Sequence, residues 1–167
     1  MKFDDCVRFF QQKKYSESAK CFEQLLKSNP ESEELNYSFG VALFENGEFF
    51  RAANYFKKAN AIKEDSLTIY YIGLCYFNLL DFQTAEYFFK KAIEKKHDFA
   101  ESYFMLSLCA LYNKDVETFN KQIKRAILFD KKKTRNIAIK YLNVIENSKI
   151  DKKYLDNMRS LLKDAFN

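Results

Sequence analysis

The sequence predicts an all-α fold built from repeated antiparallel helix pairs, and three observations carry that expectation. The 167 residues include three Gly and one Pro, too few for the tight turns of a sheet protein or for a Gly-rich phosphate loop. Small residues recur at a spacing of 33 or 34: Cys6, Gly40, Gly73 and Ser107. Apolar residues between these marks follow helical rather than alternating periodicity.

The recurrence is not confined to one position. Twelve residues beyond each mark stand Ser18, Ala52, Ala85 and Phe119. Four further on come Phe22, Phe56, Phe89 and Ile123, and three beyond those Leu25, Ala59, Ala92 and Ala126. Small residues at such places have a packing reason, because two helices approach closely only where side chains are short and a large neighbour fills the notch. Asn46-Gly47-Glu48 reads as the turn inside one pair and Leu80-Asp81 as the turn inside the next. Pro30 ends the first pair, since proline cannot continue a helix. Four helix–turn–helix units are expected at about 1–32, 33–65, 66–99 and 100–133.

Two more helical stretches follow. Ile137, Tyr141, Val144 and Ile145 mark one, and Tyr154, Leu155, Met158, Leu161 and Leu162 the other. Residues 134–167 are read as a capping helix pair or a degenerate fifth repeat, which would cover an end that a repeat array otherwise leaves open. Phe119 stands where the second helix of a unit wants a small residue, so the fourth pair is expected to splay or shift.

These offsets resemble those of the tetratricopeptide repeat family, and the stretches 36–64 and 69–97 carry the likeness best. Asn36, Ile69 and Tyr103 depart from it, standing where the family often has Trp. The resemblance implies a right-handed superhelix whose concave face is lined by the first helix of each pair. Phe3, Val7, Phe10 and Gln11 would face it from the first unit, and Glu34, Tyr37, Ser38, Val41 and Phe44 from the second. Leu67, Tyr70, Tyr71, Leu74, Phe77 and Asn78 would follow from the third, then Glu101, Phe104, Met105, Leu108, Leu111 and Tyr112 from the fourth.

Members that bind acidic chaperone tails use a clamp of Lys, Asn and Arg in this groove. The corresponding positions here hold Phe3, Val7, Ser38, Leu67 and Tyr71 in one frame, and Tyr37, Val41, Tyr71, Glu101 and Met105 in the other. Neither frame has a basic residue, so no carboxylate-clamp binding to heat-shock chaperone tails is expected. The expected site is a peptide-binding groove of Tyr37, Val41, Phe44, Tyr70, Tyr71, Leu74, Phe77, Phe104, Met105, Leu108 and Tyr112, suited to a hydrophobic or aromatic segment. The chain's own residues 152–166 are a rival occupant. An aromatic groove in a chain of this size is also compatible with a secretion-type chaperone, and self-association into a homodimer is a further alternative.

Charge is uneven. The net formal charge is +5, yet residues 121–167 hold 13 basic and 5 acidic side chains. Lys121, Lys124, Arg125, Lys131, Lys132, Lys133 and Arg135 form the densest patch, which could attract nucleic acid or an anionic surface. No RNA-binding motif accompanies it, and the plainer reading is a solvated helix end whose cations suit the C-terminal dipole.

No catalytic residue, cofactor or metal site is expected. One His in the whole chain excludes a site built on several, and His97 falls in an inter-unit loop. The four cysteines at 6, 21, 75 and 109 show no CxxC and no cluster, which reads as four reduced core thiols in a cytoplasmic protein. No stretch approaches the roughly 20 apolar residues of a membrane span, and Asp4-Asp5 replace the apolar run of a signal peptide.

Overall fold

The computed structural model describes the backbone of residues 2–146 and, beyond them, residues 152, 156, 159, 160 and 163. Nine helices occupy the continuous part: α1 (Phe3–Gln11), α2 (Tyr15–Ser28), α3 (Glu33–Glu45), α4 (Phe49–Ile62), α5 (Ser66–Asn78), α6 (Phe82–Lys95), α7 (Ala100–Tyr112), α8 (Val116–Phe129) and α9 (Lys131–Glu146). No strand is present among the described residues. Most of the expected second C-terminal helix, over 154–162, lies outside them. Two compact units divide the chain, Met1–Phe88 and Phe89–Asn167, so the division falls inside α6.

The turns inside the helix pairs share one backbone device. Lys13, Gly47, Leu80 and Lys114 all take the left-handed conformation, with φ between 58° and 81°. In each turn that residue's N–H bonds the carbonyl three back, and the next N–H reaches five back. Gly47 donates to Phe44 at 3.0 Å and Glu48 to Leu43 at 2.9 Å; Leu80 donates to Phe77 at 3.0 Å and Asp81 to Tyr76 at 3.0 Å. Orphan carbonyls at the helix end are satisfied in this way. Only one turn spends a glycine on it.

Five of the helix starts, those of α3, α5, α6, α8 and α9, are capped by short acids or a hydroxyl. Asp65 accepts from the N–H groups of Leu67 (2.9 Å) and Thr68 (3.0 Å) at the start of α5. Ser32 accepts from Leu35 N–H at the start of α3, 3.3 Å away. Buried Asn36 donates to the carbonyls of Pro30 and Ser32, both at 2.8 Å, which ties α3 to the turn before it. A Trp at this position could not make both bonds.

In the first unit, α1 packs on α2, α2 on α3, α3 on α4 and α4 on α5. Cys6, Phe22, Phe39, Leu43, Phe56 and Ile72 belong to its buried core. Helices cross closely at the small positions: Ser18 donates its hydroxyl to the Cys6 carbonyl at 3.0 Å, and a β-carbon on Gly40 would stand 2.8 Å from the Phe56 ring. In the second unit α7 packs on α8 and α9, and α8 on α9. Phe119 is accommodated there, buried to 1 % exposure.

The cysteine expectation is corrected. Cys6 of α1 and Cys21 of α2 form a disulfide, with Cα atoms 5.3 Å apart, while Cys75 and Cys109 are buried and outside any disulfide. The spacing of 15 gives no signal along the chain, because facing positions arise only once two helices pair. The bridge also removes the argument for a cytoplasmic location that rested on four reduced thiols. Burial pushes the Cys75 thiol up to about 12, which keeps it protonated and inert.

Candidate functional site: an apolar cavity on the α1 and α3 face

A cavity of about 140 Å³ is lined by Val7 and Phe10 of α1, Phe22 of α2, and Tyr37, Ser38 and Val41 of α3. Phe22 forms its floor at 2 % exposure, and the other five are half-buried. Helical spacing places the walls: Val7 and Phe10 are three apart, as are Ser38 and Val41, so each pair shares one helix face. No charged side chain lines it. A ring or branched aliphatic chain entering it would exchange water for carbon on every side but the mouth.

Aromatic packing makes the α3 wall rigid. Tyr37 lies edge-on to Phe56 (5.7 Å) and to Tyr71 (5.9 Å), and Tyr71 stacks on Phe56 at 5.1 Å. Phe44 meets Tyr71 edge-on at 5.9 Å. Burial first, then the neighbouring Tyr71 and Asp65, hold the Tyr37 hydroxyl well above its ordinary range. It therefore stays protonated at neutral pH, and Tyr37 lines the cavity as a neutral side chain.

Of the eleven residues expected to form a groove across the second to fourth units, six are enclosed. Tyr70, Leu74 and Phe77 of α5 are 6–7 % exposed, and Phe104, Met105 and Leu108 of α7 are fully buried. Eleven of the thirteen residues of α7 are buried, so this helix has no open face. Its sequence AESYFMLSLCALY carries that signal, since a helix apolar on all sides is enclosed on all sides. Packing by α8 and α9 encloses it in part, with Phe104 and Tyr141 rings 6.4 Å apart. Tyr37, Val41, Phe44, Tyr71 and Tyr112 remain half-buried, and of the expected residues Tyr37 and Val41 line the cavity. Val7, Phe10 and Ser38 join them from the same implied face, and Phe22 was not expected there.

The basic residues are all exposed: Lys121, Lys124 and Arg125 on α8, and Lys131, Lys132, Lys133 and Arg135 on α9. Lys133 pairs with Glu101 at 3.3 Å, and the Arg125 guanidinium lies 5.7 Å from the Tyr103 ring centre. The reading of Lys131–Lys133 as a helix C-terminus is corrected, because they open α9. There they face the positive end of the dipole, and Asp130 offsets it by accepting from Lys133 N–H at 2.8 Å.

Among the described residues no group of three His, Cys, Asp or Glu side chains could hold a metal ion, and no helix is long and apolar enough to cross a membrane. His97 is exposed.

Comparisons with known proteins agree with the repeat. The family model described as anaphase-promoting complex, cyclosome, subunit 3 matches residues 11–92, just under half of the chain. No curated protein matches the sequence. A crystal structure of MamA is similar with a TM-score of 0.74 at 16 % identity, covering 96 % of this chain and 91 % of that one. MamA 41-end from Desulfovibrio magneticus RS-1 gives a TM-score of 0.73 at 15 % identity, covering 98 % and 94 %. YrrB, described as a TPR protein with an unusual peptide-binding site, gives 0.69 at 21 % identity, covering 75 % of this chain and 65 % of YrrB. With its small-residue register, its four left-handed turns and its described helices, this chain has the all-α helical-repeat solenoid fold of these structures.

Proposed function

We propose that the chain is a non-catalytic protein–protein interaction module that holds a hydrophobic or aromatic peptide side chain in the cavity between α1 and α3. The observation that carries this reading is the cavity itself: about 140 Å³, apolar, open, and backed by a locked aromatic cluster. A dry apolar space of about 150 Å³ holds one benzene-sized ring, so the volume suits a single Phe, Leu or Ile anchor. Tyr37 contributes contact area with little rotamer freedom to lose, and Ser38 offers a hydroxyl that could orient a backbone. The likeness to YrrB supports a peptide ligand, and the absence of a cation among the lining residues argues against an acidic one.

A short random peptide library panned on the full chain tests the reading. Selected peptides should share an aliphatic or aromatic anchor and bind with little dependence on salt. Val41→Glu and Phe10→Ser should each weaken them by roughly 30-fold, the range of a hot-spot residue, with helix content retained. Selection of acidic sequences that dissociate steeply with salt, and that Lys124→Glu abolishes, would move the function to the basic faces of α8 and α9. Binding untouched by both cavity variants would remove the cavity from the account.

A further inference from the structure

We propose that the Cys6–Cys21 disulfide is a redox control on the cavity: the oxidised chain is competent to bind, and reduction releases α1 and opens one wall. The proposal rests on the cavity being the peptide site. Cys6 precedes Val7, and Cys21 precedes Phe22, so each half of the bridge is next in sequence to a lining residue. Both halves are buried, at 0 % and 1 % exposure.

The need for a clamp follows from the length of α1. It has nine residues, whereas isolated helices below about 12–15 residues are marginal in water. Its persistence depends on packing against α2, the helix the disulfide joins it to. Apart from Cys6, none of its residues is buried. The single enclosed side chain of α1 is therefore the one that is covalently bonded. Phe3 meets Phe22 edge-on at 5.4 Å and Phe10 meets Tyr15 at 5.2 Å, so α1 is otherwise held by half-buried contacts, to which the bridge adds a covalent tie.

Local opening of α1 exposes the bridge to a dithiol reductant. One reductant thiolate attacks a bridge sulfur, giving a mixed disulfide and releasing the other cysteine as thiolate. The second reductant thiol then displaces the remaining cysteine. Two electrons pass to the bridge, the reductant leaves as its own disulfide, and both cysteines end as protonated thiols. A disulfide-bearing oxidant reverses the exchange. Cys75 and Cys109 are buried elsewhere and take no part.

The test compares the full chain before and after dithiothreitol under native conditions. Alkylation in denaturant, after quenching, should count two thiols before treatment and four after. Amides of residues 3–11 should lose hydrogen-exchange protection by on the order of a hundredfold, the effect of releasing a loop of this length, while those of α3 and α4 keep theirs. N-acetyl-phenylalaninamide should shift the methyl signals of Val7 and Val41 in the oxidised chain and leave Val7 unshifted in the reduced one. A Cys6→Ser/Cys21→Ser chain should match the reduced protein and ignore dithiothreitol. A bridge that resists reduction in the folded chain, or α1 amides equally protected in both states, overturns the proposal. Exchange and thiol counts that behave as expected, with N-acetyl-phenylalaninamide ignored by both forms, keep the redox release of α1 and sink the peptide reading instead.

Discussion

The ring of Phe56 fills the space that a side chain on residue 40 would need. A β-carbon built on Gly40 lies 2.8 Å from Cε1 and 2.9 Å from Cδ1 of that ring, inside any real carbon–carbon contact. The ring cannot step aside easily, because it is fully buried and Tyr71 stacks on it at 5.1 Å. Gly40→Ala gains about 1 kcal/mol of helix propensity but overpacks this crossing by roughly 1–3 kcal/mol. A lower melting temperature is expected, with weaker stacking in the near-ultraviolet spectrum. An unchanged or higher melting temperature would mean that the Phe56 ring has room to move.

The left-handed turns allow the opposite kind of change. Leu80 holds φ 62° with its side chain 71 % exposed, so it carries the steric cost of that conformation and gains little from burial. That cost is about 1–2 kcal/mol for a residue with a β-carbon, offset in part by the greater chain entropy that Gly adds to the unfolded state. Leu80→Gly should therefore raise stability by about 0.5–1 kcal/mol in chemical denaturation. Gly47→Ala at the equivalent turn should lower it by a similar amount. Opposite signs at the two sites are the expected pattern.

Gly40 and Gly47 show which parts of the fold were legible in the sequence. The spacing of Gly40 from the other small residues pointed to the helix crossings, and the 46–48 turn that holds Gly47, like the 80–81 turn, could be read from local chemistry. The left-handed Lys13 and Lys114 could not, since nothing in a lysine announces that conformation. The cavity was legible only in its helices: the α1 and α3 faces followed from the resemblance to the repeat family, but exposure along α5 and α7 did not. An apolar helix face looks the same in sequence whether solvent, a partner or the next helix covers it. The missing polar stripe in α7 was the available signal. Cys6 and Cys21 were hidden for a different reason, because pairing across two helices is a property of the folded pair.

Asp115 predicts a contribution to acid sensitivity. It caps α8 by accepting from Thr118 N–H at 3.0 Å, and hydrogen bonds from Thr118 hold its carboxyl below the usual value of 3.8. A folded-state value below the unfolded one means that the capping contribution is present above pH 3.8 and is lost as pH falls through the folded value. Urea midpoints taken from about pH 5 down to pH 2.5 should fall less steeply in Asp115→Asn, which keeps a cap without the titration. Parallel curves for the two proteins would show that Asp115 is not coupled to folding.

Burial along α7 and α8 sets the last expectation. Leu108 is fully enclosed and Leu128 is 78 % exposed, so the same truncation should have very different consequences. Leu108→Ala removes buried methyl groups from a helix packed on several sides and should cost about 2–5 kcal/mol. Leu128→Ala should change stability by less than about 0.5 kcal/mol. Neither residue lines the α1 and α3 cavity, so peptides selected on the wild-type chain should bind both variants with unchanged affinity at a temperature where each is folded. This pair separates the two meanings that an apolar residue on a first helix could have. If Leu108→Ala lowered peptide affinity while the Val41→Glu variant did not, the binding face would run along α7 after all. Its burial would then have to open when the ligand arrives, and hydrogen exchange in α7 would rise on adding the peptide.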